Sequence, residues 1–302
     1  MNLYTNAEAN TRKTWIYLAG FFVFVIALGW VVSFIFGNST ILYIAVALSI
    51  AMSFGSYWYS DKVVVAMSGA KPAKKEEYLE LYRVVENLAI TAGLPMPKIF
   101  VLNDAQPNAF ATGRNASHAV VVVTMGLLEK LDRAELEGVI AHELSHIGNK
   151  DMLLATIVVI LAGFVAILSN FFVRMIFSGG MRSRNDKKDN GNAQAVLMVV
   201  GIVFLILAPI AAKMIQFAIS RKREFLADAS GALLTRYPEG LARALEKIAS
   251  DPNSLKSASP ATAHLYIASP FKGKEQTSWF LKLFMTHPPV EERIKILRQM
   301  SI

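Results

Sequence analysis

The sequence predicts a mainly α-helical membrane protein. Four transmembrane helices carry an α+β soluble part, and the second pair of helices interrupts that part. Three observations predict this. The chain of 302 residues is 54% hydrophobic, above the roughly 45–50% of an ordinary globular chain. The excess is concentrated in four runs: a bilayer core takes about 20 apolar residues as helix, and residues 15–36, 41–58, 152–173 and 195–219 supply them. The string "AHELSHIGNKDM" sets two histidines four residues apart with a glutamate beside the first, and a pair of carboxylates, Glu224 and Asp228, stands four apart just after the last apolar run.

The first run is longer than a signal-peptide core and lacks a small-residue cleavage site, so it is expected to be retained. Arg12 and Lys13 precede it, the connector "GNST" is uncharged, and Lys62, Lys71, Lys74 and Lys75 follow the second run. The positive-inside bias then puts both ends of this N-terminal hairpin, residues 1–60, in the cytoplasm. Residues 61–151 form the first soluble part. Residues 76–92 read as an amphipathic helix, with Leu79, Tyr82, Val85 and Leu88 at helical spacing, stopped by "GLPMP". "KIFVL" at 98–102 and "HAVVVVT" at 118–124 are β-branched enough to be strands. The "QPNAFATGRNAS" between them reads as a turn-rich loop. A further helix starts at Asp132, where Glu135 three residues on makes a capping box, and Leu136, Val139, Ile140, Leu144 and Ile147 form its buried stripe.

The third and fourth runs make a second hairpin, residues 152–220. Pro209 in the fourth is tolerable in a membrane helix. Arg182, Arg184, Lys187 and Lys188 in the connector favour the cytoplasm, but parity places residues 179–192 outside, and Asp186 and Asp189 dilute the charge signal. Residues 221–302 are the second soluble part, with helices expected near 226–235, 240–249 and 290–298.

With no cysteine, disulfides and thiol catalysis are excluded. The net charge of +8 reads as Lys and Arg bracketing the membrane. There is no nucleic-acid motif or aromatic-interleaved basic stripe, so the partner implied is a lipid bilayer and no nucleic acid. His142-Glu143-Leu144-Ser145-His146 fits H-E-x-x-H. Helix positions four apart share a face, so both imidazoles can reach one Zn²⁺, and Glu143 stands beside that face as the base for a water. A third protein ligand is needed. A third histidine ten residues after His142 is absent, because position 152 is Met, and His264 stands in a loop-like Ala/Ser/Pro stretch. Glu224 is the better candidate, since an apolar hairpin returns the chain to the side it left. Asp228 would accept the other N–H of His142 or His146. The alternative is a membrane transporter or scaffold with a structural zinc; a transporter should carry ionisable residues mid-span, and Lys213 and Arg174 lie toward span ends.

These motifs, together with "QPNAFATG" at 106–113, "SRKREFLADA" at 220–229 and "MTHPPVEERI" at 285–294, resemble the HtpX-type zinc metalloproteases of bacterial and archaeal membranes, relatives of the CAAX prenyl proteases. The resemblance covers nearly the whole chain. It implies a zincin-like protease domain of gluzincin type, H-E-x-x-H plus Glu224, with one zinc per subunit. It implies an endopeptidase of the bacterial inner membrane that cleaves misfolded or damaged membrane proteins at the cytoplasmic face, in quality control and stress response. Water activated at the zinc would attack the scissile carbonyl with Glu143 as general base. His287 in "THPP" is expected to steady the oxyanion, by similarity to gluzincin sites, and Asn108 in "PNAF" to donate to substrate or intermediate. Arg293 is expected to hold the His287 loop through a carboxylate. Residues 119–124, with Val121, Val122 and Val123 at their centre, are expected to offer an edge to an extended peptide.

Overall fold

The structure is a computed structural model that describes residues 3–161, 164, 221–258, 262–271 and 288–301. Two long helices open the chain, α1 (Leu3–Phe36) and α2 (Thr40–Trp58). They turn back on each other through Gly37, whose φ of +61° suits a residue without a side chain. Small residues set their spacing: a Cβ added to Gly29 would lie 2.2 Å from the Cβ of Ala45. Close approach at small residues is how helices associate where lipid removes the hydrophobic drive between them. Residues 10–31 and 40–58 are long and apolar enough to cross a membrane. Their outward faces stay apolar, with Phe34 80% and Tyr43 71% exposed.

The soluble part follows as α3 (Ser60–Ser68), β1 (Lys71–Pro72), α4 (Leu79–Ala92), β2 (Lys98–Leu102), β3 (Ala109–Thr112), β4 (Val120–Thr124), α5 (Met125–Lys130) and α6 (Arg133–Gly148). Helix α7 is described over Asp151–Leu161. After it come α8 (Arg221–Thr235), α9 (Pro238–Ser250) and α10 (Val290–Arg298). The four strands form one sheet in the order β1-β2-β4-β3. β4 runs parallel to β2 and antiparallel to β3, with Val121 opposite both Ile99 and Ala111.

Both faces of β4 are covered. Val121 and Val123 pack with Leu81, Val85, Ile140 and Leu144 of α4 and α6. Val120 and Val122 pack with Val64 of α3, Val159 of α7 and Tyr266. A strand buried on both faces reads as a continuous apolar run, which accounts for four valines in a row. The strand order corrects the expectation of a substrate edge at Val121, Val122 and Val123: β4 is an inner strand paired with β2 and β3, and the edges are β1 and β3.

Helix α6 begins with the expected capping box, Asp132 accepting from Glu135 N and Glu135 from Asp132 N, each at 2.9 Å. It ends where Gly148 and Lys150 break it, Lys150 having a φ of +56°, and α7 leaves at 84° to it. The third apolar run begins in α7. Its remainder past residue 164, the whole fourth run and the connector at 179–192 lie outside the described residues. Boundaries move: the helix expected over 76–92 starts at Leu79, the strand expected from His118 starts at Val120, after a 3₁₀ turn at Ala116–His118, and the helices expected near 226–235 and 240–249 cover Arg221–Thr235 and Pro238–Ser250.

Candidate metal centre

Helices α6 and α8 cross in contact, and the sequence of α8 explains how closely. Glu224, Asp228 and Gly231 fall at i, i+4 and i+7, one face of a helix. At the end of that stripe a Cβ on Gly231 would sit 2.9 Å from the backbone N of His142. Glycine thus lets α8 lie on the backbone of α6, and the two carboxylates above it reach the histidines.

His142 Nε2 and His146 Nε2 converge at 3.1 Å. Glu224 presents Oε2 at 3.8 Å from the first and Oε1 at 3.7 Å from the second. Four-coordinate zinc with bonds of about 2.0–2.1 Å keeps its ligand atoms roughly 3.3–3.4 Å apart. The His-His-Glu donor set and its spacing therefore fit zinc with side-chain shifts of a few tenths of an ångström.

Each histidine has its own carboxylate behind it. Asp228 Oδ1 lies 2.8 Å from His142 Nδ1. Asp151 Oδ2 lies 3.3 Å from His146 Nδ1. Asp228 is held in turn by the fully buried Arg293, whose Nε and Nη2 donate to its two oxygens at 2.8 and 2.7 Å. Arg293 Nη1 donates to the Ile267 carbonyl at 2.7 Å.

Electrostatics follow from burial and these pairs. Burial alone would raise the Asp228 carboxyl, but the Arg293 guanidinium outweighs it and holds the group at about 2. Burial pushes Glu143 up to about 7, with His146 opposing and Glu224 adding to the shift, while the backbone N–H of Ala111 hydrogen-bonds its carboxylate. Burial lowers His142. Burial works against protonation of His146 too, yet Asp151 and Glu224 draw it up to about 9.

His142, Glu143, His146 and Glu224 line one cavity together with Ala111 of β3 and His264. Residues 266–268 run antiparallel along the outer edge of β3: Ile267 N donates to Ala109 O at 2.9 Å and Asn108 Nδ2 to Ala268 O at 3.1 Å. Ala111 of β3 lines the cavity together with Tyr266 and Ile267.

Several expectations change here. His264, set aside in favour of Glu224 as third ligand because of its loop-like stretch, is a wall of the cavity, although it is not in the His-His-Glu cluster. Asn108 does not line the cavity. Its amide ties β3 to Ala268 and its Oδ1 accepts from Ala109 N, so the catalytic role expected of it is replaced by a structural one. The carboxylate that Arg293 binds is Asp228, and the backbone it holds is that of Ile267. His287 lies outside the described residues. Asp151 and Gly231 had no part in the sequence reading. Gly231 is visible only as the next position on the stripe of Glu224 and Asp228, and Asp151 only as an acid just past the helix break.

Comparison with known proteins supplies the family. The profile of Peptidase family M48 matches residues 75–301. A protease HtpX homolog from Thermoanaerobacter pseudethanolicus is 44% identical over 303 residues, 99% of this chain and 98% of that protein. One from Dictyoglomus thermophilum is 45% identical over 300 residues, 99% of this chain and 95% of that protein. The crystal structure of S. mikatae Ste24p aligns with 98% of this chain and 66% of its own at 17% identity, with a TM-score of 0.49.

Proposed function

The chain belongs to peptidase family M48 and is a membrane-bound zinc metalloprotease, and from that premise we propose that His142, His146 and Glu224 hold the zinc while Glu143 is the general base. The observation that carries the assignment is the convergence of two imidazole nitrogens, 3.1 Å apart, with the two oxygens of the Glu224 carboxylate, 3.7 and 3.8 Å from them, on two helices. When bound, zinc supplies a Lewis acid that polarises the scissile carbonyl and makes a water more acidic.

The chain's own residues do the rest. Glu143 is beside the ligands yet outside the cluster, so its carboxylate is free to take the proton of the attacking water and hand it to the leaving amine. Burial, by raising its carboxyl to about 7, makes it a stronger base near neutral pH than a solvated glutamate. Asp228 and Asp151 keep the Nδ1 proton of each histidine on the far side, which leaves both Nε2 lone pairs facing the ion. The edge of β3 at Ala111, which lines the cavity, receives an extended stretch of substrate. His287 serves as the oxyanion donor.

The substrates in this reading are misfolded or damaged membrane proteins, cleaved at the cytoplasmic face of a bacterial inner membrane by a four-span protein. The apolar hairpin 1–60 and the lysines after it support that sidedness, and the protease HtpX homologs support the protein substrate. The protease domain would be split into residues 61–151 and 221–302 by the hairpin 152–220.

One experiment tests chemistry and side together. Inside-out vesicles carrying the protein should cleave an impermeant reporter peptide, and right-side-out vesicles should not. Glu143→Gln should retain zinc and lose cleavage by about 10²–10⁴-fold, the usual range for a general base. Near wild-type cleavage by Glu143→Gln would remove it as the base, and cleavage only by right-side-out vesicles would reverse the orientation.

A further inference from the structure

We propose that Asn10, at the foot of the first span and outside residues 75–301, is a positioning residue of the metal centre, acting through Asp151 on His146. The inference rests on His146 being a ligand.

Helix α1 has one buried stripe: Asn10, Thr14, Leu18, Phe21 and Val25, at i, i+4, i+8, i+11 and i+15. Leu18, Phe21 and Val25 pack against Ile157 and Leu161 of α7. That packing lays α1 along α7 and delivers Asn10 to Asp151 at the start of α7. Asn10 is 4% exposed, and both ends of its amide are used. Nδ2 donates to Asp151 Oδ1 at 2.5 Å, and Oδ1 accepts from Arg223 Nη1 at 3.2 Å. Arg223 also stands 3.7 Å from Asp151 Oδ1 and directly precedes Glu224.

An amide is a neutral group that can donate to a carboxylate through its nitrogen and accept from a guanidinium through its oxygen at once. Asp151 has two oxygens: Asn10 takes Oδ1, and Oδ2 faces His146 Nδ1 at 3.3 Å. Asn10 therefore fixes the carboxylate rotamer that meets the imidazole. Without it, Arg223 is the remaining cation beside Oδ1, and the carboxylate is free to turn toward the guanidinium and off the ring. The first span is then a working part of the metal site.

The test uses the full-length chain in detergent, with zinc affinity read by chelator competition and the visible spectrum of the cobalt-substituted protein as signature. Asn10→Leu should weaken zinc binding by roughly 10–100-fold, the usual cost of losing a partner behind a ligand, and should shift the cobalt bands. Asn10→Gln should restore part of both. The isosteric Asn10→Asp, which loses the donor at constant volume, serves if Asn10→Leu does not fold. Because Asn10 acts through Asp151, adding Asn10→Leu to Asp151→Asn should cost little more than Asp151→Asn alone. Leu18→Ala loosens the same stripe without touching the amide and should lower thermal stability while keeping zinc affinity. Wild-type affinity and spectrum in both Asn10→Leu and Asn10→Asp, additive losses in the double variant, or an equal loss in Leu18→Ala would each overturn the proposal. Wild-type zinc affinity in His146→Ala would overturn the ligand reading beneath it instead.

Discussion

Arg293 shows what a single residue holds together. Its guanidinium is buried, bridges α10 to both oxygens of Asp228 and caps the Ile267 carbonyl. Removing one member of a buried ion pair leaves a bare charge and costs about 3–5 kcal/mol. Arg293→Met should therefore unfold at markedly lower temperature than wild type. Adding Asp228→Asn removes the stranded charge, so the double variant should regain part of that loss. Thermal melts of both proteins check the ordering, and a double variant less stable than Arg293→Met would refute it. Residues of this kind divide sharply in how legible they are. Glu224 and Asp228 announce themselves by four-residue spacing on a helix. The Asp151 partner Asn10 is 141 residues away, and no local period connects the two.

At the scale of elements, α6 was readable almost in full: an acid at its N-cap, a reciprocal Glu135, and H-E-x-x-H with its ligands a turn apart. β3 was not. Its four residues lie between Pro107-Asn108 and Gly113, which are turn formers, so a short edge strand looked like loop. The run of four valines identified β4 as a strand but carried no information on its neighbours, and its burial on both faces follows only from the assembled sheet. The α6–α8 crossing yields an expectation of unusual sign. Replacing a helix-interior glycine by alanine ordinarily gains roughly 0.5–1 kcal/mol. At Gly231 the new Cβ meets the His142 backbone at 2.9 Å, and a main chain cannot swing aside. Gly231→Ala should lower stability and Gly231→Val should weaken zinc binding by more than about tenfold, as loss of support around a ligand does. Equal or higher stability in Gly231→Ala would mean that the helices do not meet there.

For the molecule as a whole, the candidate metal site joins α6 and α8, two stretches of chain separated in the sequence by the third and fourth apolar runs. The sequence reading expected Glu224 to come back to the two histidines across those runs, and its carboxylate stands 3.8 and 3.7 Å from their Nε2 atoms. The reach of α1 into the same network was beyond topology, since it depends on which face of the first span packs on α7. His264 is the sharpest rival to Glu224, for it lines the same cavity from a third stretch of chain. The most direct measurement is zinc affinity of the full-length protein by chelator competition, in wild type, Glu224→Gln and His264→Ala. A neutral amide is a poor ligand where a carboxylate is required, so Glu224→Gln should lose zinc while His264→Ala keeps it. Zinc retained by Glu224→Gln and lost from His264→Ala would contradict the site.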